Sequence, residues 1–161
     1  MDTFLITQEI EMVLSHHQLQ VRSRGYNEDL CQWGDVNVAQ GVIIHPGYVT
    51  FDPLLEDTFG ARVILNLSND YQADVLAERR LVIPFEVQEV DKLAVLSVQK
   101  TFPIQLPLEK RNYALYFEIA VDKEVYCRLT FVPVDEQVQA RYLMDDDWGG
   151  VEGQFIIEGY R

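Results

Sequence analysis

Between Tyr113 and Phe131 the chain alternates apolar and more polar side chains twice over, and this period of two constrains its fold more than any other feature. Tyr113, Leu115, Phe117, Ile119 and Val121 form one set, with Ala114, Tyr116, Glu118 and Ala120 between them. After Asp122-Lys123, the residues Val125, Cys127, Leu129 and Phe131 repeat the pattern against Glu124, Tyr126, Arg128 and Thr130. Two such runs joined by a short polar connection predict a β-hairpin. Its apolar face, Leu115, Phe117, Ile119, Val125, Cys127, Leu129 and Phe131, is the predicted core, because a slip of one residue would turn every one of these side chains to water.

Shorter runs of the same kind occur at Leu19-Val21, Val42-Ile44, Val63-Leu65-Leu67, Leu81 to Val87 and Leu93-Val95. Pro84 lacks an N–H and belongs at a sheet edge or a bulge. His45-Pro46-Gly47, Ser68-Asn69-Asp70 and Leu106-Pro107 punctuate the runs with turn chemistry. Many short strands without a long helical stripe predict an all-β chain, an antiparallel β-sandwich with at most one or two short helices. Closure into a barrel stays open at this point. Asp2 to Leu14 and Asp70 to Arg79 are the two segments with helical character, the second with Asn69 or Asp70 as its cap. No repeat, low-complexity tract or Gly/Ser linker divides the 161 residues, so the expectation is one domain over 1–161 with an acidic C-terminal segment from about 135.

Charge narrows the function classes. With 13 Lys+Arg against 26 Asp+Glu the formal net charge is −13, a field that repels polyanions, so direct nucleic-acid binding is not expected. A basic protein or a cation is the natural partner. The apolar stretches are far shorter than the roughly 20 residues of a membrane span. The first eleven residues carry no Lys or Arg and are broken by acids, unlike a secretory signal, which makes the cytoplasm the expected compartment. Cys31 and Cys127 have no paired spacing and are read as two buried thiols.

The densest polar constellation is Asp145-Asp146-Asp147-Trp148-Gly149-Gly150-Val151-Glu152. It is not an EF-hand loop: Gly149 occupies the fifth position and Ile156 stands where the closing Glu belongs. Three readings remain: a solvated acidic turn, a loop holding a hard cation, or a protein-binding patch in which an aromatic anchor sits beside carboxylates. Asp145, Asp146, Asp147, Trp148 and Glu152 are therefore the candidate partner-binding residues, with Glu28-Asp29-Trp33 and Glu56-Asp57 next. His16 and His17, adjacent on a strand, would point to opposite faces and share no metal unless the chain bends there. No nucleophile, base and orienting group can be assembled, and no phosphate loop occurs. The expectation is a non-catalytic protein with no catalytic residue, metal site or cofactor.

Ser15-His16-His17-Gln18-Leu19-Gln20-Val21 resembles the opening strand of the competence protein J family, bacterial inhibitors of the DNA-entry nuclease. Trp33, Gly41-Val42, Val49-Thr50-Phe51, Val82-Ile83-Pro84-Phe85-Glu86-Val87, Leu106-Pro107 and Tyr113-Ala114-Leu115 follow in the same order. The resemblance runs from Ser15 to Val121 and leaves the acidic tail outside it. It implies a cytosolic protein that binds and silences a metal-dependent nuclease, as immunity proteins do. The charge argument reaches a similar place independently, since a nuclease must present a basic cleft that an acidic protein can enter and plug. The alternatives are a non-catalytic β-sandwich ligand- or cation-binding module and a sheet-based oligomeric scaffold.

Overall fold

A computed structural model describes residues 4–53, 58–98 and 100–161. In chain order the strands are β1 (Leu5–Ser15), β2 (Leu19–Arg22), β3 (Val42–His45), β4 (Tyr48–Phe51), β5 (Thr58–Ser68) and β6 (Ala77–Glu86). They continue with β7 (Ala94–Ser97), β8 (Lys100–Pro103), β9 (Asn112–Asp122), β10 (Glu124–Pro133) and β11 (Arg141–Tyr142). One α-helix, α1 (Asp35–Gln40), precedes β3.

Two sheets enclose the core. The larger has the order β1-β5-β10-β9-β6-β11 and the smaller β3-β4-β2-β7-β8. The predicted hairpin is β9 and β10, paired antiparallel with Phe117 opposite Leu129 and Ile119 opposite Cys127. These side chains meet the smaller sheet across the core, where the Phe51 and Phe117 rings stack with centroids 4.2 Å apart. Phe131 receives Phe85 and Tyr113 edge-on at 5.7 and 6.0 Å. The arrangement is a β-sandwich, and of the predicted core residues all are buried except Val125, which packs half-buried at its rim. Its pairing is antiparallel throughout except between β5 and β10. That parallel pair joins strands far apart in sequence, so no local turn signal announces it.

The expected helix over Asp2–Leu14 is instead β1 across its described part, paired with β5 along all eleven of its residues. Ile10, Met12 and Leu14 face the core while Glu9, Glu11 and Val13 face out. Ile6, Ile10, Val13 and Leu14 also satisfy helical spacing, so the local pattern fits both periods and sheet pairing decides between them. The second expected helix, Asp70–Arg79, is a loop followed by the start of β6. Pro84 of β6 lies beyond the two-residue pairing with β11, where the outer edge of β6 carries no partner strand among the described residues.

Candidate functional site

The C-terminal segment is bound to the sandwich by polar side chains at core positions. In β6, Arg79, Leu81, Ile83 and Phe85 face inward, which places a guanidinium in the interior. Arg79 Nε lies 3.2 Å from Asp146 Oδ2, and the two side chains are 2% and 0% exposed. Arg79 Nη2 also donates to the Gln40 carbonyl at 2.9 Å, and its guanidinium lies over the Tyr142 ring at 5.2 Å. Gly41, in the left-handed region with φ 83°, lets the backbone pass close to this cation: a Cβ there would come within 2.9 Å of Arg79 Nη1.

From the same junction α1 grips the end of the chain. Gln40 Nε2 donates to the Ile157 carbonyl (2.8 Å) and Gln40 Oε1 accepts from Ile157 N–H (3.1 Å). Asn37 makes a similar double contact, donating to the Gly159 carbonyl and accepting from Arg161 N–H. The Arg161 carbonyl oxygen accepts from the N–H groups of Val36 and Asn37, which have no partner within the helix's first turn.

This framework separates the five candidate residues. Asp146 does not belong to the surface: Oδ1 accepts from Trp148 N–H and Gly150 N–H, both at 2.8 Å, while Oδ2 meets Arg79. Gly150 follows from that, since a Cβ there would fall 2.0 Å from Asp146 Oδ2. Asp145, Asp147 and Glu152 are exposed and Trp148 is half-buried. Asp145 Oδ1 accepts from Glu152 N–H at 2.9 Å, bringing the two ends of the loop together. The three consecutive carboxylates therefore diverge, and among the described residues no group of three or more His, Cys, Asp or Glu converges as a metal site. A signal for the buried pair exists in the sequence: Arg79 has the core parity of β6, and an interior cation requires a carboxylate partner.

The other candidates are dispersed. Glu28 and Asp29 are exposed on a 3-10 turn, Trp33 is half-buried, and Glu56-Asp57 lie outside the described residues. The chain bends at His16 and His17, both left-handed with φ 58° and 55°, and His17 Nδ1 lies 3.2 Å from Asp52 Oδ1. Both cysteines are free; Cys127 is buried, which pushes its thiol up to about 12. Cys31 is only half-buried: it lies over the outer face of the smaller sheet, with its Sγ 3.3 Å from the Tyr48 hydroxyl and 3.5 Å from Gln20 Nε2.

Comparison with known proteins places this architecture. Residues 11–132 match the family model of Competence protein J (ComJ). The chain belongs to the ComJ family. A similar solved structure is that of ComJ from Bacillus subtilis, inhibitor of the DNA degrading activity of NucA. The likeness has a TM-score of 0.68 at 20% identity and covers 81% of this chain and 99% of that one. No curated protein matches in sequence. The family match ends before the acidic loop, so Asp145 to Glu152 lie beyond the part of the chain that the ComJ model describes.

Inside the ComJ-matched region, the outer face of the larger sheet carries a second polar cluster that sequence reasoning missed. Glu118 of β9, 1% exposed, sits 3.0 Å from Arg128 Nη1 and 3.6 Å from Arg80 Nε. Its Oε2 accepts from Asp74 N–H at 2.8 Å, so the loop from Asn69 to Leu76 is pinned over the sheet. Asp74 accepts in turn from the Tyr126 hydroxyl, and Tyr71 stacks on Tyr116 at 3.9 Å. Burial raises the Glu118 carboxyl above its ordinary range despite the neighbouring cations. Burial and the hydrogen bond to Asp74 push the Tyr126 hydroxyl up to about 12.

For Asp74 burial opposes the charge, but hydrogen bonds from Tyr126 and Leu76 N–H, with Arg128 and Arg80 nearby, outweigh it and hold the carboxyl below its ordinary 3.8. A lowered pKa means that the folded state favours the ionised form. Its stabilisation is complete above pH 3.8 and is lost as pH falls through the folded-state value. Asp74→Asn is thus expected to be less stable than the wild type at neutral pH, with the gap narrowing in acid. Urea unfolding across that range measures it, and a gap independent of pH would contradict the assignment.

Proposed function

We propose that this chain is a non-catalytic, cytoplasmic inhibitor or immunity-type protein that binds a DNA-degrading nuclease and occludes its DNA-binding cleft through an acidic surface. The observation that carries this reading is the match to the ComJ family over residues 11–132. The charge of −13 supplies the mechanism. A nuclease cleft that attracts phosphates also attracts carboxylates, so the inhibitor is steered to its target and competes with DNA there. Asp145, Asp147, Trp148 and Glu152 form the contact surface of the acidic loop, and Asp146 is the buried strut that shapes it.

The test titrates the purified protein into a DNA-cleavage assay with NucA and with the most NucA-like nuclease of the source organism. Stoichiometric loss of cleavage is expected, and full cleavage by both nucleases in excess inhibitor would refute the reading. In binding kinetics, Asp145→Asn with Asp147→Asn is expected to slow association and weaken its salt dependence while changing dissociation little. Trp148→Ala is expected to speed dissociation, at a cost of about 2 kcal/mol or more. Unchanged kinetics in both variants would move the contact off this loop.

A further inference from the structure

Val75 is 91% exposed, the most exposed large apolar side chain among the described residues, and Leu76 beside it is 46% exposed. A lone apolar side chain in water is ordinary on a protein surface. The support beneath this one is not. Val75 and Leu76 are the central pair of a tight turn in which Ala77 N–H donates to the Asp74 carbonyl (3.1 Å) and Leu76 N–H to Asp74 Oδ1 (2.9 Å). Asp74 is tied to Glu118, Arg80 Nη2 donates to the Asp74 carbonyl at 2.7 Å, and Arg128 Nη2 reaches the Gln72 carbonyl at 3.2 Å. Taking these charges out of water costs free energy, and a well-packed apolar face would often be no less stable. What the cluster achieves is a fixed shape for a loop whose tip makes no use of it within this chain.

The tip and the acidic loop lie toward the same end of the larger sheet, the tip over its outer face and the acidic loop at the edge of β6. Both leave the fold at the start of β6: the Val75 turn leads into it at Ala77, while Leu143 N–H donates to the Arg80 carbonyl (2.9 Å) and Asp146 pairs with Arg79. Ala120 pairs with Ala77, so Val121, 43% exposed, emerges at the same sheet end as Leu76. An apolar group at the same end of the sheet as a cluster of carboxylates fits a protein partner with an apolar notch within a basic surface.

We infer that the Val75-Leu76 turn is a preorganised apolar anchor that inserts into the target nuclease, at the same end of the sheet as the electrostatic contact made by the acidic loop. This rests on the function proposed above and adds a contact within the region matched by the ComJ family, where the acidic loop is not. Rigidity matters because an anchor already held in its bound shape avoids the ordering cost of docking.

The experiment compares wild type, Val75→Asp and Val90→Asp in the nuclease titration, with thermal unfolding of each protein alone. Val90 is half-exposed on the 3-10 turn beyond the opposite end of β6, so its variant carries the same charge change away from the tip. Val75→Asp is expected to raise the concentration for half-inhibition by at least about tenfold at unchanged melting temperature, and Val90→Asp to leave it unaltered. Equal inhibition by wild type and Val75→Asp, or equal weakening by both variants, would overturn the anchor while leaving the inhibitor reading intact. Failure of the wild type itself to inhibit would overturn both.

Discussion

Replacing Asp146 by Ala is expected to destabilise the fold by about 3–5 kcal/mol, because it leaves the Arg79 guanidinium buried without its carboxylate. Against a total stability of roughly 5–15 kcal/mol for a domain, that loss separates a folded protein from a marginal one. Two backbone donors, Trp148 N–H and Gly150 N–H, lose their acceptor at the same time as Arg79 loses its ion-pair partner. The adjacent Asp147→Ala, on an exposed side chain, is expected to stay within about 0.5 kcal/mol of wild type. Denaturant unfolding of the two single variants is the direct comparison. Adding Arg79→Met to Asp146→Ala should recover part of the loss, since an apolar side chain of similar length needs no counter-charge. Equal stability of the two Asp variants would mean that the pair contributes nothing to holding the segment from Ala140 to Arg161.

Phe117→Ala is the second large effect, expected at about 3–5 kcal/mol. Phe117 is 1% exposed, stacks on Phe51 of the opposite sheet and sits between Leu81 of β6 and Leu129 of β10 in its own. Removing the ring opens a cavity between two sheets that are held apart by the remaining large side chains, so the gap cannot fully collapse. Phe117→Leu should cost markedly less, since it retains much of the volume. A loss near 1 kcal/mol for Phe117→Ala would show that the sheets close over the gap, and that the Phe51 contact is not the centre of the core.

Short-range reading was most informative where one face is buried over many residues. β9 and β10 announce themselves because Leu115 to Ile119 and Cys127 to Phe131 repeat at the sheet period and nothing else fits them. The six residues of α1 leave no such trace. Its buried side chains are Asn37 and Gln40, and Val36 and Val38 face solvent, so the usual apolar stripe is inverted. Its polar residues are placed to bind the C-terminal backbone, a partner more than a hundred residues away.

The candidate site divides along the same line. Composition and spacing alone determine that the protein is acidic, that its densest carboxylates adjoin Trp148, and that its fold is all-β. These properties belong to the chain before it folds, or follow from a period that local geometry enforces. Which carboxylates face solvent was decided only by tertiary structure. Asp145, Asp146 and Asp147 are chemically identical neighbours, yet Arg79 at a core position of β6 draws the middle one inward and leaves the other two outside. Glu118, Asp74, Arg80 and Arg128 are likewise ordinary surface residue types in the sequence. They become a partly buried support for the Val75 turn because β6, β9 and β10 lie side by side, and long-range pairing is the one quantity that a local pattern does not contain.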